Sequence, residues 1–347
     1  MTRARRLNLE EIGRRAGVSR STVSRVINGA PNVSADARQR VEVIVAETGY
    51  RPHAAARSLA SNRNGIVGLI VANSVETVFD DPYFGRLILG VTRTTNDLGT
   101  TLTLFLFREE SEADSIYPRV ANRGLVDGVI VTATRMGDPL SEHLAEAGLP
   151  FVVVGRPDSN RTRYSVDVDN FGGARLAAEH LIGLGRTKLG LIAAPSNTTA
   201  GVDRRRGFLE TLSEAGLDPG GRIIEGDWTE ASGRRAMLRL LAENAPDAVF
   251  AASDRMAAGA LRAIREAGLT CPGDIAVVSF DGIIPPDQTV PRLTAVVQPV
   301  IETGEQAASL LHAVIDGEVT KPEHVVLPTR LVVRESCGAG TGGAAPS

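Results

Sequence analysis

Beyond residue 65 the chain alternates short apolar runs with amphipathic segments. Segments with helical spacing of apolar residues, for example 171–183, 204–215 and 256–267, separate most of the runs. Strands that alternate with helices form parallel sheets, so this part is predicted to be α/β, and the number of runs predicts two lobes. Ligands of such sheets bind beyond the carboxyl ends of the strands, which makes a cleft between the lobes the expected site. The predicted strands are 66–71, 101–105, 128–131, 151–154, 189–192, 248–251 and 275–278.

Length and composition exclude several classes of protein. With 347 residues, 43% hydrophobic and 23% charged, the chain is long enough for two or three globular domains. It has no run of eighteen apolar residues, and no apolar region follows the basic N-terminus, so neither a membrane span nor a secretion signal is predicted. Cys271 and Cys337 are too far apart in sequence to indicate a disulfide framework or a zinc cluster. A cytoplasmic protein is expected.

The net charge of −3 conceals a strong asymmetry. Residues 1–63 contain twelve arginines, no lysine and five acidic residues, a net charge of +7. The rest of the chain holds 26 basic and 36 acidic residues, a net charge of −10. A basic head on an acidic body indicates that the head binds a polyanion. On charge alone, a solvated Arg-rich tail is an equal alternative.

The basic head has the pattern of three short helices. The first is predicted over 9–16, with Asn8 as N-cap and Gly17 as its end. Ser19 is the N-cap candidate of a second helix that runs to about residue 28. The third follows Val33 and Ser34 and ends near 48–49. Two short helices joined by a glycine turn, with a third closing the core, form a helix-turn-helix.

The second helix carries the residues suited to reading DNA. Arg20 and Ser21 are assigned to base edges in the major groove, because Arg binds guanine bidentately and Ser contacts either class of base. Arg25 is assigned to a base or to a phosphate, and the sequence leaves both open. The hydroxyl residues Ser19, Thr22 and Ser24 are suited to phosphate contacts that set the register.

The stretch 12–28 resembles the DNA-binding head of the LacI family, most closely at Ala-Gly-Val-Ser (16–19) and Thr-Val-Ser-Arg-Val (22–26). The resemblance continues through Val-Ser (33–34) and Gly-Tyr-Arg-Pro (49–52). It implies a sequence-specific transcription regulator, most often a repressor, that binds pseudo-palindromic double-stranded operator DNA as a homodimer. It also places Asn28 among the DNA-binding residues.

An Ala-rich segment, 54–60, follows Pro52 and has helical composition, but alone it is too short to be stable in water. The resemblance implies that it is the hinge helix, which forms on operator DNA. In that role Leu59 is the apolar wedge that enters a minor-groove base step and kinks the DNA. The alternative is that Leu59 is a core residue of a linker helix.

The acidic body resembles the periplasmic-binding-protein-like core of the same family, through 166–170, 204–208, 226–233, 253–260 and 279–282. The resemblance implies a small effector bound between the lobes, where an aromatic face stacks on a ring while Asp and Arg bind its polar atoms. A sugar or sugar derivative is the first expectation, and a nucleobase or nucleoside is the alternative. Segment 73–80 is interpreted as a lengthened loop at the mouth of the cleft. The implied effector residues are Tyr83, Phe84, Arg204, Trp228, Ser253 and Asp281.

Two of these assignments have alternatives, and a third residue departs from the family pattern. Trp228 alone could equally be a half-buried packing residue, and Arg204 an exposed helix charge. Ser253 stands where family members commonly have Asn, which removes one amide contact to the ligand.

No catalytic set is legible, because the five histidines are dispersed and no HExxH, GxSxG, dinucleotide or P-loop motif occurs. No enzyme activity, cofactor or metal is therefore predicted.

Two other functions fit the sequence less well. A solute-binding protein of a transporter would have a signal peptide and no DNA-binding head, and both of these expectations fail for this sequence. A sugar enzyme needs a catalytic set of residues, and none is legible.

The predicted domains are a head (1–50), a hinge and linker (51–64), a core (65–337) and a tail (338–347). Within the core, the chain is predicted to cross between the lobes near 166–168, 293–297 and 327–330. The tail lacks the heptads of a tetramerisation helix, so a dimer is expected. Release by an inducer and recruitment by a corepressor both stay open.

Overall fold

The computed structural model describes residues 8–27, 32–48, 50, 63–107, 120 and 125–339. Two compact units divide the chain, Met1–Gly65 and Ile66–Ser347. Within the described ranges, no helix is long and apolar enough to cross a membrane. The predicted residues Asn28 and Leu59, most of the hinge segment and most of the tail lie outside the described residues.

The first unit contains three helices, α1 (Leu9–Ala16), α2 (Arg20–Ile27) and α3 (Ala35–Thr48). The predicted caps form: Asn8 Oδ1 accepts from the Glu11 amide at 2.9 Å, and Ser19 Oγ from the Thr22 amide at 3.2 Å. Gly17 ends α1 with φ 67°, a conformation that L side chains rarely adopt. Apolar residues from all three helices form one small core, which includes Ile12, Val23, Val26 and Val41.

The second unit has two lobes, each built on a six-stranded sheet. The N-terminal lobe has the strand order β11-β5-β4-β3-β1-β2, and every pair in it is parallel. Its strands are β1 (Ile66–Ser74), β2 (Thr101–Phe107), β3 (Gly128–Thr132), β4 (Phe151–Val154), β5 (Tyr164–Val168) and β11 (Glu323–Leu327). Its helices are α4 (Val75–Asp80), α5 (Pro82–Asp97), α6 (Leu140–Ala147) and α11 (Val300–Asp316).

The C-terminal lobe has the order β12-β10-β9-β8-β6-β7. Its pairs are parallel except β10 with β12, which is antiparallel. The strands are β6 (Leu189–Ala193), β7 (Ile223–Glu225), β8 (Ala248–Ala251), β9 (Ala276–Asp281), β10 (Thr294–Val297) and β12 (Arg330–Val332). The helices are α7 (Asn170–Gly183), α8 (Thr199–Glu214), α9 (Glu230–Asn244) and α10 (Asp254–Glu266).

The chain passes between the lobes three times, after β5, after β10 and after β11. All seven predicted strands are present, and strands such as β3, β4, β6 and β8 are buried along their whole length. Helices cover both faces of a parallel sheet, so its central strands are continuous apolar runs, which is why they were predictable. Five strands were not predicted. β7 and β12 have only three residues each, and β5, β10 and β11 carry polar residues that interrupt or replace the apolar run.

The interpretation of 73–80 as a loop is wrong. Residues 75–80 form the helix α4, whose N-cap is Ser74, with Oγ accepting from the Thr77 amide at 3.3 Å. Val78 faces inward and is 3% exposed in the core of the N-terminal lobe. The cap and this single buried anchor hold a helix too short to show helical periodicity.

Candidate functional site

A cavity of about 600 Å³ lies between the two lobes, at the carboxyl ends of their strands. Its volume falls within the range of about 300–1,000 Å³ that is typical of small-molecule sites. Both lobes contribute to its wall. The residues that line it include all six predicted effector residues, Tyr83, Phe84, Arg204, Trp228, Ser253 and Asp281.

Arg204 forms part of the cavity wall and is only 4% exposed, so its interpretation as an exposed helix charge is wrong. Its Nε donates to Asn170 Oδ1 at 2.9 Å. Its Nη1 donates to the Ala252 carbonyl at 2.6 Å and to Asp281 Oδ1 at 3.2 Å. These bonds fix the guanidinium plane against the protein, with the Phe280 ring centroid 3.6 Å away. The remaining N–H groups of the side chain are those on Nη2.

Asp281 is held at the end of β9 from three sides. Gln298 Nε2 donates to its Oδ1 at 2.6 Å, in addition to the bond from Arg204. The Asp254 amide lies 3.4 Å from its Oδ2. Burial raises the pKa of Asp281 to about 7, although the Arg204 cation opposes this shift. The carboxyl group is therefore oriented before any ligand arrives.

Aromatic rings cover other parts of the wall. The Trp228 ring centroid lies 5.5 Å from the Arg204 guanidinium carbon, so the two groups are neighbours. Tyr83 and Phe84 meet edge to face with centroids 5.4 Å apart. Burial raises the pKa of the Tyr83 hydroxyl, so this group stays protonated and can donate a hydrogen bond.

Ser253 lines the cavity, but its hydroxyl already has a structural role. Ser253 is the N-cap of α10, and its Oγ accepts from the Met256 amide at 3.2 Å. The hydroxyl proton is still able to bond to a ligand, because the cap uses only its acceptor capacity.

The prediction omitted a pair of polar residues at the carboxyl end of β5, Asp167 within the strand and Asn170 just after it. Asn170 Nδ2 donates to Asp167 Oδ1 at 3.0 Å, and both residues line the cavity. Burial raises the pKa of Asp167 to about 6. A usable signal was present, since both belong to the stretch 166–170 that resembles the family and both lie at the carboxyl end of a strand. Gln298 was missed for lack of any local motif.

Three residues other than glycine have positive φ in the described parts of the chain, and all three line this cavity. They are Ala133 at 60°, Trp228 at 72° and Asp281 at 104°. Such conformations cost about 1–3 kcal/mol each and persist where the surroundings impose them, most often at functional sites. Their confinement to one cavity supports a functional role for it.

The described part of the chain contains no group of three or more His, Cys, Asp or Glu residues arranged to hold a metal ion. The ionisable groups of the wall are instead nearly balanced in number, with one more acidic than basic side chain. They are Asp81, Asp167, Glu225, Asp227 and Asp281 against Arg135, Arg156, Arg204 and Arg255.

The predicted DNA-reading residues that the structure describes lie on one short helix and its cap. Ser19, Arg20, Ser21 and Arg25 are exposed, while Thr22 and Ser24 are partly buried. The Ser19 hydroxyl lies 2.8 Å from that of Ser21 and 2.9 Å from that of Thr22. Arg20 is exposed and its ion pair with Glu10 is distant, at 3.9 Å, so its side chain can turn toward another partner.

Two family models match the chain. That of the bacterial regulatory proteins of the lacI family matches residues 8–53, and that of a periplasmic binding protein-like domain matches residues 178–337. The HTH-type transcriptional regulator CelR of Thermobifida fusca is 40% identical over 342 residues, 97% of this chain and 100% of that protein. The chain belongs to the LacI family.

Other members and solved structures agree. The HTH-type transcriptional repressor PurR of Escherichia coli is 32% identical over 336 residues, 96% of this chain and 97% of that protein. A structure of a CelR–cellobiose complex is 38% identical with a TM-score of 0.76, over 95% of this chain and 100% of that one. The lac repressor dimer bound to operator and the anti-inducer ONPF is 29% identical with a TM-score of 0.81, over 96% and 99%.

These matches confirm the predicted fold class, a helix-turn-helix head with an α/β core of two mostly parallel sheets. This LacI-family member is a transcriptional regulator with a DNA-binding head and an effector-binding core, and its relatives are regulators rather than enzymes.

Proposed function

We propose that this LacI-family regulator is a repressor that binds its operator as a homodimer and responds to a neutral sugar in the interlobe cleft. The observation that carries the proposal is the cleft itself, which has aromatic faces beside fixed carboxyl, amide and guanidinium groups. Sugars present apolar ring faces and many hydroxyls, and such a wall matches both. The likeness to the CelR–cellobiose complex points to the same ligand class.

The charge of the wall favours a neutral ligand over a phosphorylated or acidic one. Most of its guanidinium groups already have carboxylate partners: Arg204 pairs with Asp281, Arg156 with Asp203, and Arg255 with Asp81. An anionic ligand would compete with these carboxylates for the guanidinium groups and would also meet the acidic excess. A neutral ligand with hydroxyl groups can donate to the carboxylates without that cost.

A nucleobase is the second candidate. It is supported by the likeness to PurR, which matches over nearly the whole chain, and by Trp228, whose ring could stack on a planar base. The two ligand classes differ in the polar atoms that they present, and one titration separates them.

Repression by a dimer is proposed from the likeness to the lac repressor dimer bound to operator. Two copies of the head would place two α2 helices on half-sites of a pseudo-palindromic DNA, with Arg20 and Ser21 at base edges. The effector would act through its different affinity for two arrangements of the lobes. Binding in the cleft would thereby change operator affinity.

The test uses Trp228, the only tryptophan of the chain. Purified full-length protein is titrated with cellobiose, glucose, glucose 6-phosphate and hypoxanthine, while tryptophan fluorescence and thermal unfolding are recorded. The proposal expects a saturable response to a neutral sugar and none to glucose 6-phosphate. A response to hypoxanthine alone would establish the nucleobase reading instead, and a response to glucose 6-phosphate alone would contradict the charge argument.

A second measurement tests the DNA arm. Operator DNA is selected with the protein from a random duplex library, and its affinity is then followed by fluorescence anisotropy with and without the sugar. We expect a palindromic consensus and weaker binding of Arg20→Ala, by about 1–3 kcal/mol if the residue reads a base. A selected site without symmetry would contradict the dimer.

A further inference from the structure

Two ion pairs join the lobes across the cleft. Arg156, which follows β4 in the N-terminal lobe, donates from Nε and Nη2 to the carboxylate of Asp203 on α8 of the C-terminal lobe, at 2.6 and 3.3 Å. Asp81, in front of α5 in the N-terminal lobe, lies 3.5 Å from Nη1 of Arg255 on α10 of the C-terminal lobe. Each lobe therefore contributes one carboxylate and one guanidinium. The N-terminal lobe supplies the cation of the first pair and the anion of the second.

The two pairs are attached at separate points. In the N-terminal sheet, β3 lies between β1, which leads to Asp81, and β4, which leads to Arg156. In the C-terminal lobe, Asp203 and Arg255 belong to helices that follow different strands, β6 and β8. Attachment at two separate points resists twisting of the lobes as well as their separation.

Burial makes these pairs different from ordinary surface pairs. The side chain of Asp203 is 8% exposed, and those of Asp81 and Arg255 are 16% and 21% exposed, whereas Arg156 is 45% exposed. If Arg156 is removed, the closed form keeps a buried carboxylate without its cation, whereas an opened form lets water solvate it. Loss of Arg156 therefore penalises the closed form selectively.

The Arg156–Asp203 pair is directly connected to the wall of the cavity. Asp203 immediately precedes Arg204 on α8, and Arg204 holds Asp281 at 3.2 Å. Any shift of α8 that opens the ion pair also moves the guanidinium that orients Asp281. The geometry of the wall and the closure of the lobes thus depend on the same helix.

We propose that Arg156–Asp203 and Asp81–Arg255 form a two-point clasp, which sets the fraction of molecules with closed lobes and thereby the affinity of the cleft for its ligand. The four residues act as positioning residues, because the apparent dissociation constant varies inversely with the binding-competent fraction. Only this consequence for affinity rests on the proposed effector function. The effect on closure belongs to the ligand-free protein.

One backbone hydrogen bond reports closure without any ligand. The Met136 amide, in the loop after β3, donates to the carbonyl of Asn197 in the C-terminal lobe at 2.8 Å. Opening of the lobes breaks this bond and exposes the amide to exchange. Hydrogen exchange of peptides that contain Met136 therefore measures the closed fraction.

The experiment is a mutant cycle on the full-length protein, with Arg156→Gln, Asp203→Asn and the double variant. We expect Arg156→Gln to raise the exchange rate at Met136 by roughly tenfold or more. Asp203→Asn should raise it less, because the Arg156 side chain left without its partner is 45% exposed, and the double variant should add little to Arg156→Gln. Asp81→Asn and Arg255→Gln form a second cycle with the same pattern. Asn at 81 keeps the acceptor that caps α5 through the Tyr83 amide, so this helix is not disturbed.

The matched control is the ion pair between Arg175 and Glu214, which joins two helices within the C-terminal lobe at 2.9 and 2.7 Å. Arg175→Gln should leave exchange at Met136 unchanged. Far-UV circular dichroism and thermal unfolding verify that each variant is folded. If a single variant does not fold, hydrogen exchange is measured on the double variant, which buries no unpaired charge. Unchanged exchange at Met136 in folded Arg156→Gln, or strictly additive effects in the cycle, would overturn the clasp.

Cellobiose titration of the same variants tests the consequence for affinity. We expect the dissociation constant for cellobiose to rise with the open fraction in both cycles and to stay unchanged in Arg175→Gln. If wild-type protein does not bind cellobiose, the sugar proposal loses its support, while the ligand-free exchange data still decide the clasp. An unchanged dissociation constant in variants that exchange faster would overturn the link between closure and affinity.

Discussion

Replacement of Arg204 by methionine tests whether its guanidinium holds the cleft wall together. The side chain makes three hydrogen bonds inside the protein, to Asn170, Ala252 and Asp281, and is 4% exposed. Methionine has a similar length but cannot donate, so all three acceptors lose this donor and Asp281 Oδ1 keeps only the bond from Gln298. Breaking one side of a buried ion pair costs about 3–5 kcal/mol. We expect Arg204→Met to lower the free energy of unfolding by this amount at pH 8.

The cost should depend on pH. Burial already raises the pKa of Asp281 to about 7, and loss of the Arg204 cation raises it further. At pH 6 the Asp281 carboxyl is mostly protonated in both folded proteins. At pH 8 it is ionised in the folded wild type, whereas the folded variant keeps it protonated although the unfolded chain has released that proton. The destabilisation should therefore be larger at pH 8 than at pH 6.

The assay is urea unfolding at both pH values, followed by circular dichroism so that the signal does not depend on the nearby Trp228. Arg204→Lys separates charge from geometry, because it keeps the cation but not the planar fork, and should cost less than Arg204→Met. Arg206→Met is the control on the same helix. Arg206 is 57% exposed and pairs with Glu210 at 3.7 Å, so its loss should cost about 1 kcal/mol or less. Equal costs for Arg204→Met and Arg206→Met would refute the reasoning.

Three further predictions follow from other parts of the chain. Burial raises the folded-state pKa of Asp167 to about 6. The free energy of unfolding of the wild type, relative to that of Asp167→Asn, should therefore fall by at most about 3 kcal/mol between pH 4 and 6 and then level off. Urea unfolding at four pH values checks this, and a rise of this difference with pH would contradict it. A Cβ atom on Gly90 of α5 would overlap the carbonyl oxygen of Ile301, so Gly90→Ala should cost about 1–3 kcal/mol in thermal unfolding, whereas Gly85→Ala on the same helix meets open space and should cost nothing. Leu59→Ala should weaken operator binding strongly in fluorescence anisotropy and leave sugar binding intact, and equal loss of both would contradict the proposed division of roles.

Much of the fold was predictable because its signals are local. Each of the seven predicted strands is an apolar run in one of the largely parallel sheets. The first two head helices begin after N-cap residues that could be identified from the sequence, Asn8 and Ser19. The strand β11 was missed because it lies at a sheet edge, where mostly exposed residues replace the apolar run. The helix α4 was missed because one buried residue, Val78, anchors it.

The site was predictable in its members but not in their arrangement. The family resemblance supplied the six effector residues, and the structure brings all six to one cavity. It did not supply Gln298, which lies 17 positions after Asp281 in sequence yet donates to it at 2.6 Å. It also did not show that Ser253 caps a helix while it lines the cavity.

The sequence by itself determined what neighbouring residues decide: the helical head with its caps and basic charge, and the buried strands of the α/β core. Only the tertiary structure decided which distant residues meet. Arg156 and Asp203 lie 47 positions apart, and Arg204 and Asp281 lie 77 apart. The reason is physical: an ion pair between residues distant in sequence depends on where folded strands and helices end in space, and no periodicity or cap along the chain records that distance.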